Sequence, residues 1–362
     1  SAVYGTGSRR RRQLRRKRPD AEPCLNQRGP DVANPLWKAS RTDEIESFRG
    51  KFHVHCAVKI VLTGAAGFLG RECLAQLKSR AHDVITTDRF GEVDVRGDLA
   101  GEAFCRSLPD CDAVVHAAAV QYVSRDLPLL GRERYFARNN VQATRNLCAR
   151  YSGKPTHYVQ VGTSMMYRQS GLALYGTTSP MEGQGVYSRS KLAAQEYVRR
   201  MPNPTATIIP CIIGGRGREG LFRGFVNLMT RYGIVVLPGA GEHHVHMVHV
   251  EDVAALIALV VDRRAEGMFN AAAPEPLSIQ GWIDEIQDEL GLGPVRRIRL
   301  PLTPIRWLSA WSGYRLLARE QLLMLAQSHV LSIDESIALG WKPRHTNARI
   351  ARDIARYVAQ TS

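Results

Sequence analysis

A glycine-rich loop between a short apolar strand and a helix limits the folds open to this chain. The strand is expected at residues 59–62, and the loop reads Thr63-Gly64-Ala65-Ala66-Gly67-Phe68-Leu69-Gly70. Glycines at this spacing allow a tight turn, a close approach of the backbone to a pyrophosphate, and close packing of the helix on the strand. The helix also presents free N–H groups and the positive end of its dipole to the phosphates. The loop therefore predicts a dinucleotide site.

Short apolar strands alternate with helices from Val58 onward. Further strands are expected at residues 82–86, 112–119, 157–161 and 205–209, and helices at 70–79, 135–151 and 187–199. This alternation predicts an α/β fold with a doubly wound, Rossmann-type parallel sheet covered by helices on both faces. We expect this domain to span residues 58–213. Residues 214–362 are expected to form mainly a smaller, partly interleaved substrate lobe, with some elements returning to the first domain.

Asp88 ends the second expected strand, about 20 residues after the loop, where a carboxylate can hold the adenosine ribose hydroxyls. A carboxylate at this position repels a 2′-phosphate, which favours NAD over NADP. Arg89 follows directly, and its guanidinium could pair with that phosphate instead. NAD is therefore the expected cofactor, with NADP as the alternative.

A second pattern is Tyr187-Ser188-Arg189-Ser190-Lys191 on an expected helix. Residues four apart share one helix face, so the phenol and the ammonium point the same way. A nearby cation stabilises a phenolate and is expected to lower the pKa of Tyr187 from its usual value near 10. Tyr187 is thus a candidate proton donor and acceptor for a substrate alcohol or carbonyl. The alternative is a solvated helix face.

Taken in order, several motifs resemble those of the extended short-chain dehydrogenase/reductases, which form the NAD-dependent epimerase/dehydratase group. The motifs are residues 64–70, Asp88, Gly97-Asp98-Leu99, His116-Ala117-Ala118-Ala119, Asn140-Val141-Gln142-Ala143-Thr144, and Tyr187 with Lys191. The resemblance covers roughly Val58 to the C-terminus. It implies a doubly wound domain that binds NAD across the C-terminal edge of the sheet.

The resemblance also implies which residues surround the cofactor. Phe68 and Leu69 would lie beside the pyrophosphate, Asp98 and Leu99 would flank the adenine, and Lys191 would hydrogen-bond the nicotinamide ribose. The complete set of implied cofactor-binding residues is Gly64, Gly67, Phe68, Leu69, Gly70, Asp88, Arg89, Asp98, Leu99, Ala117, Ala118, Ala119, Tyr187, Lys191, Pro210 and Ile213.

The implied catalytic residues are Thr163, Tyr187, Lys191 and Asn140. Thr163 lies in Val161-Gly162-Thr163-Ser164-Met165-Met166-Tyr167, where the family has a Ser or Thr after the fifth strand. Its hydroxyl would hold the substrate oxygen against Tyr187, with Ser164 as a second polar contact. Asn140 would help to set the geometry of the proton relay.

The chain departs from the family mainly where a substrate would bind. It reads Ile209-Pro210-Cys211-Ile212-Ile213-Gly214-Gly215-Arg216 where nucleotide-sugar enzymes often have Arg-Pro-x-Asn-Val-Tyr-Gly-Pro. Residues 239–246 also lack the arginine that often anchors a substrate diphosphate, although Arg216, Arg218 or Arg223 could substitute. Residues 247–254 and 339–344 resemble the hydroxysteroid-dehydrogenase branch as much as the sugar branch.

Residues 1–57 are basic, rich in arginine at positions 9–12, and show neither helical nor strand periodicity. We expect a mostly disordered tail. The charge could attract nucleic acid, but no aromatic residues or recognition helix accompany it, so nucleic acid is not an expected partner.

The chain has seven cysteines without a C-x-x-C pair, and it has no apolar run of membrane-spanning length. These two features predict a cytoplasmic protein with no membrane span.

Two further patterns have structural alternatives. His243, His244, His246 and His249 lack a completing ligand at a familiar spacing, so no metal site is expected. Trp307, Trp311 and Tyr314 lie in a helical stretch expected over 301–328 and could mark an interfacial helix, but a buried packing face is the commoner use of such a stripe.

Together these observations predict an NAD-dependent oxidoreductase that transfers a hydride reversibly at a secondary alcohol or ketone of a small molecule. Sugar nucleotides and hydroxysteroids are the two expected substrate classes, and 4-epimerisation of a nucleotide sugar is one alternative. Dehydration is less expected, because Ser164 and Met165 stand where family dehydratases carry acids. A non-catalytic NAD-binding or RNA-associated protein is the other alternative, and a homodimer remains open.

Overall fold

The computed structural model of the protein describes residues 57–361, apart from 123, 125, 172, 173, 219–221 and 313–317. The disorder expected for the basic tail therefore concerns residues outside the described part. The strands are β1 Lys59–Thr63, β2 Asp83–Asp88, β3 Val95–Arg96, β4 Ala113–His116, β5 His157–Val161, β6 Thr205–Pro210, β7 Ile212–Gly214, β8 Ile234–Pro238, β9 His244–Val245, β10 Met247–His249, β11 Gly267–Ala271, β12 Leu277–Ser278 and β13 Arg296–Leu300.

The helices fall between and after these strands. They are α1 Phe68–Ser79, α2 Glu102–Ser107, α3 Arg132–Phe136, α4 Ala143–Tyr151, α5 Val186–Arg199, α6 Phe222–Tyr232, α7 Val250–Arg263, α8 Ile279–Glu289, α9 Leu302–Trp311, α10 Arg319–Ala326, α11 Asp334–Ala338 and α12 Asn347–Thr361. A π-helical segment, Ala137–Gln142, joins α3 to α4, and a short 3₁₀ turn, Ser164–Met166, follows β5. No helix in the described ranges combines the length and apolarity needed to span a membrane.

The main sheet has seven strands in the order β11-β6-β5-β4-β1-β2-β3. Every pairing is parallel, and Thr63 of β1 lies opposite both Thr87 of β2 and His116 of β4. The chain runs outward from β1 in one direction and then returns to build the other half from β4. This reversal confirms the predicted doubly wound fold and places a crevice at the C-terminal ends of β1 and β4.

Both faces of the main sheet are covered, which explains why its strands are apolar with little alternation. On one face α1 packs beside α7, whose Val253, Leu256, Ile257 and Val260 are fully buried. On the other face α2 and α4 cover Val61 and Val114. Helix α7 and strand β11 come late in the chain, so the sheet is completed by residues that follow the expected first domain.

A second apolar core lies among α6, α8 and α12, beside the short strands β8, β9 and β10. Trp282 of α8 is fully buried there, its ring centroid 4.6 Å from that of Phe222. Its indole N–H donates to the carbonyl of Val245 at 3.0 Å, so the polar edge of the ring is satisfied.

The prediction that the tryptophan stripe packs inward is wrong for its described members. Trp307 and Trp311 are 71% and 77% exposed, and Tyr314 lies outside the described residues. In α9 the inward face is formed by Leu302, Ile305 and Ser309, which recur at helical spacing. The two tryptophans are four residues apart and lie about 200° around the helix from that face, so they point to solvent.

Candidate active site

The glycine-rich loop is shaped by the absence of side chains at two positions. Gly64 has a φ of +71°, and a Cβ there would lie 2.6 Å from backbone atoms of Ala118, just after β4. A Cβ on Gly70, in the first turn of α1, would overlap the carbonyl of Gly64. The loop can therefore fold tightly against the end of β4 only with glycine at both positions.

The start of α1 fits an anionic ligand. Gly67 precedes the helix, and no side chain caps its first turn, so Phe68 and Leu69 begin a helix whose N-terminal amides have no side-chain acceptor. Such amides, with the helix dipole behind them, suit a pyrophosphate. This is the place that the sequence predicts for the phosphates of the cofactor.

Asp88 ends β2 beside the loop, as expected. Its carboxylate accepts hydrogen bonds from the backbone N–H groups of Ala66 at 3.2 Å and Arg89 at 2.6 Å. The Arg89 guanidinium is engaged elsewhere, donating to Asn139 at 3.1 Å and pairing with Asp126 at 3.4 Å. The structure thus sets the carboxylate of Asp88 at the loop and gives the neighbouring cation an acidic partner.

The other predicted cofactor residues lie along the same sheet edge or just beyond it. Leu99 is buried, and Asp98 accepts from the backbone N–H of Ala100 at 3.0 Å and pairs with Arg138 at 2.6 Å. Ala117, Ala118 and Ala119 follow β4 and are half-buried. Pro210 ends β6, and Ile213 lies in β7. The strand expected over 112–119 ends at His116, and the three alanines begin the loop that follows it.

Thr163, Tyr187 and Lys191 are buried together, with exposed fractions of 8%, 5% and 3%. Thr163 lies two residues after the end of β5, directly before the 3₁₀ turn, and accepts a hydrogen bond from the backbone N–H of Met165 at 3.4 Å. The hydroxyl of Thr163 also faces the phenol of Tyr187 and acts to lower its pKa. Tyr187 and Lys191 come from the first two turns of α5. The structure therefore brings three of the four predicted catalytic residues into one buried site.

The electrostatics of this site differ from the expectation. Burial raises the pKa of Tyr187 to about 12, while the charge of Arg218 and the hydroxyl of Thr163 oppose that rise. Burial also lowers the pKa of Lys191 to about 8. The Lys191 ammonium donates to the carbonyl of Val161 at 2.7 Å. The expected net fall in the pKa of the phenol is thus wrong in this structure, in which Arg218 is the main opposing cation.

Asn140 lies in the π-helical segment between α3 and α4, which breaks the continuous helix expected over 135–151. Its side chain accepts from the N–H of Val120 at 2.9 Å, donates to the carbonyl of Val120 at 3.2 Å, and donates to Ser190 at 3.0 Å. Asn140 therefore ties the turn after β4 to α5. Its contacts are with residues that position the site rather than with Tyr187 or Lys191 themselves.

Tyr122 and Glu320 were not singled out from the sequence, and Arg218 was named only as one of three arginines that could bind an anionic group. Arg218 lies with its guanidinium 5.5 Å from the ring centroid of Phe68, and it hydrogen-bonds the side chain of Gln121. Of the three arginines proposed as anion anchors, Arg218 is the one whose charge acts on Tyr187. Arg216 is exposed, and Arg223 contacts Thr361. Tyr122 stacks edge-on to Tyr187, with ring centroids 5.9 Å apart, and binds Glu320. No local pattern marks these residues, because their partners are distant in sequence.

The histidine run contributes one member to a cluster that the sequence did not reveal. Ligand atoms of His249, Glu251 and His345 lie within 4.8 Å of one another. The two imidazole rings are stacked, however, with centroids 3.9 Å and planes 24° apart. Lone pairs lie in the ring planes, so nearly parallel stacked rings cannot both aim them at one ion. Instead His249 caps α7, and His345 hydrogen-bonds Asp252 at 2.9 Å.

Comparison with known proteins agrees with this geometry. The sequence profile of the NAD dependent epimerase/dehydratase family matches residues 60–272, more than half of the chain. The chain belongs to this family. The membership confirms the predicted family resemblance and the dinucleotide cofactor, since the epimerase/dehydratase family is NAD-dependent.

Relatives and solved structures of the epimerase/dehydratase family are similar along most of the chain. Human epimerase family protein SDR39U1 is 24% identical over 295 residues, which cover 79% of this chain and 95% of that protein. The crystal structure of its isoform 2 with NADPH has a TM-score of 0.67 at 21% identity, covering 82% of this chain and 99% of that one. The Bordetella bronchiseptica enzyme WbmG, crystallised with NAD and UDP, has a TM-score of 0.67 at 18% identity, covering 84% and 95%.

Proposed function

We propose that the protein catalyses reversible hydride transfer between NAD and a secondary alcohol or ketone carbon of a small molecule. The observation that carries the proposal is the burial of Thr163, Tyr187 and Lys191 together at the sheet edge that also holds the glycine-rich loop. A protein that only bound a dinucleotide would need the loop and not a buried phenol, hydroxyl and ammonium beside it.

The residues divide the work as follows. When bound, the nicotinamide takes or gives the hydride. Tyr187 accepts the proton of the substrate hydroxyl during oxidation and returns it during reduction, while Thr163 hydrogen-bonds the same oxygen and orients it. Lys191 is buried one helical turn from Tyr187, and in the proposed mechanism its positive charge favours the phenolate form of Tyr187. The positive charge of Arg218 acts in the same direction.

The loop and Asp88 support NAD as the cofactor. Glycines 64 and 70 allow the loop to pack against backbone atoms that a Cβ would overlap. The first turn of α1 lacks a side-chain cap. The Asp88 carboxylate lies at the loop, where ribose hydroxyls are bound in this fold. Arg89 is paired with Asp126, so it is less available to a 2′-phosphate. We expect NAD to bind more tightly than NADP.

Arg218 supports an anionic substrate, which makes a nucleotide-sugar 4-epimerase the second candidate. Its described hydrogen-bond partner is the neutral Gln121, and burial lowers its pKa, so an anionic group beside it would be stabilised. Solved structures of similar fold include a UDP-glucuronic acid 4-epimerase from Bacillus cereus. A hydroxysteroid is the competing substrate class, and a Mycobacterium tuberculosis 3 beta-hydroxysteroid dehydrogenase/isomerase is 24% identical over 286 residues, 70% of this chain and 75% of that protein.

The test is turnover across a panel of nucleotide sugars, other anionic secondary alcohols and hydroxysteroids, with NADH formation or product detection as readout. Tyr187→Phe deletes only the phenolic oxygen, so NAD should still bind while turnover falls by about 10²–10⁴-fold. Thr163→Val should also reduce turnover with little effect on NAD affinity. Tyr232→Phe is the matched control, since Tyr232 is 69% exposed at the end of α6.

Undiminished turnover in Tyr187→Phe would overturn the mechanism. Tight NAD binding without turnover on any panel member would favour the non-catalytic alternative, and RNA binding that survives NAD saturation would favour the RNA-associated one. Reaction of nucleotide sugars without net NADH formation would select the epimerase.

A further inference from the structure

A buried carboxylate from the C-terminal part of the chain lies at the start of the helix that carries Tyr187 and Lys191. Glu320, in α10, is 3% exposed. One of its oxygens accepts hydrogen bonds from the backbone N–H of Ser188 at 3.0 Å and from the Ser188 hydroxyl at 2.9 Å. The other accepts from the Tyr122 hydroxyl at 2.8 Å. A carboxylate this deeply buried is stabilised only by such a set of donors.

Glu320 takes the place of an N-terminal capping side chain in α5. The residue before the helix is Gly185, which has no side chain to accept from the first turn. The Ser188 hydroxyl instead approaches the backbone N–H of Gly185 at 2.9 Å, and the carboxylate receives the N–H of Ser188. A Cβ on Gly185 would overlap that carboxylate, so glycine leaves the space it occupies. A negative charge at a helix N-terminus is also favoured by the helix dipole.

Tyr122 extends this arrangement to Tyr187 itself. The Tyr122 hydroxyl donates to Glu320 and accepts from the backbone N–H of Tyr187 at 3.3 Å. Its ring packs edge-on against the ring of Tyr187. The carboxylate is thereby linked to the backbone of Tyr187 through one intermediate residue.

We infer that Glu320 is a positioning residue that holds the first turn of α5, and with it Tyr187, for acid–base chemistry. The inference rests on the proposed function only in taking Tyr187 as the proton-transfer group. The charged and titratable groups around the phenol are Lys191 on α5, Arg218, Tyr122 and Glu320. Arg218 lowers the pKa of Tyr187, whereas the negative charge of Glu320 raises it, because a nearby anion disfavours the phenolate.

The hydrogen bonds that Glu320 accepts at α5 and the effect of its negative charge on Tyr187 can be separated by substitution. Glu320→Gln removes the charge and keeps an oxygen for the Ser188 N–H, so the fold should persist while the pKa of Tyr187 falls below that of the wild type. Glu320→Ala removes both, and should lower the melting temperature by several degrees as well as reducing turnover. Gly185→Ala should reproduce the alanine variant, because its φ of −131° tolerates a side chain and its Cβ displaces the carboxylate.

The matched control is Glu335→Gln, another carboxylate of the C-terminal part, which accepts from the Thr177 hydroxyl at 2.5 Å. It should leave the titration of Tyr187 unchanged. That titration is read as the phenolate absorbance of each full-length variant with NAD, minus that of the same variant carrying Tyr187→Phe. Where a substrate turns over, the pH–rate profile for alcohol oxidation gives a second readout, and its rising limb should move to lower pH in Glu320→Gln.

The outcomes separate this inference from the proposed function. A lower melting temperature and a shifted phenolate titration in Glu320→Ala, without turnover of any substrate by the wild type, would uphold the role of Glu320 and contradict the proposed reaction. Turnover in which Glu320→Ala keeps the wild-type melting temperature, rate and pH–rate profile would overturn the inference and leave the reaction standing. A Gly185→Ala protein that matches the wild type in melting temperature and rate would likewise overturn it.

Discussion

At the scale of single residues, Lys191 shows a conflict between stability and chemistry. Lys191 is 3% exposed, and its ammonium donates to the backbone carbonyl of Val161 at 2.7 Å. Burial lowers its pKa from 10.5 to about 8, so the folded protein holds the proton less tightly than the unfolded chain. The resulting destabilisation is complete below about pH 8 and is relieved as the pH rises toward 10.5.

Lys191→Met should therefore stabilise the ligand-free protein at pH 7, by about 2 kcal/mol after the loss of one hydrogen bond is deducted. The gain should shrink toward zero near pH 10.5, while NAD affinity and turnover fall at every pH. Denaturant unfolding at both pH values is the measurement, with the exposed Lys78→Met as control. A gain that is equal at the two pH values would contradict the burial argument.

Asp88 makes a prediction about cofactor choice. Its carboxylate accepts hydrogen bonds from three backbone N–H groups, those of Ala66, Arg89 and Phe90, and would repel a 2′-phosphate. Asp88→Ser should weaken NAD binding and narrow the preference for NAD over NADP, as measured by titration of each cofactor. If the wild-type protein already binds NADP more tightly, the dominant group is Arg89, and Arg89→Ala should then lose NADP affinity selectively.

At the scale of elements, the turn from β1 into α1 depends on helix and loop being in contact. A Cβ on Gly70 would overlap the carbonyl of Gly64, which is backbone and cannot swing away. Gly70→Ala should lower the free energy of unfolding by about 2 kcal/mol or more and reduce NAD affinity at least tenfold. Gly224→Ala is the control, because that α6 glycine faces open space. There the substitution should stabilise the helix slightly. Equal effects of the two substitutions would refute the close approach.

The bounds and faces of two helices were predicted wrongly from the spacing of apolar residues. The helix expected over 135–151 is interrupted by the π-helical segment, because Asn140 turns inward to bind the backbone of Val120 after β4. Apolar spacing cannot reveal such a break, since the partner is 20 residues away. Helix α9 was misjudged for a related reason. Its tryptophans fit an apolar stripe, yet the face that meets the protein is the one with Ser309.

At the scale of the whole molecule, the described apolar cores are formed by residues after Val58. Residues 1–57 lack the periodic apolar positions needed to bury a surface. A protein beginning at Val58 should therefore keep the melting temperature and NAD affinity of the full chain, measured side by side. A drop of more than about 5 °C in the melting temperature, or a tenfold loss of affinity, would show that the tail packs on the folded part.

The sequence alone was sufficient for the features that depend on neighbours along the chain. The strand–loop–helix unit, the alternation that builds a parallel sheet, Asp88 at the end of β2, and the spacing of Tyr187 and Lys191 are all local patterns. Thr163 and Asn140 were predicted from motif order, and their assigned roles stay predictions.

Tertiary structure decided what lies around these residues. Glu320 reaches Ser188 across 132 positions, Arg218 reaches Gln121 across 97, and His345 reaches Asp252 across 93. Contacts of this kind leave no periodic trace, because they depend on which elements the folded sheet brings together and on how deeply each group is buried. Burial is also why the pKa of Tyr187 rises where its spacing from Lys191 predicted a fall.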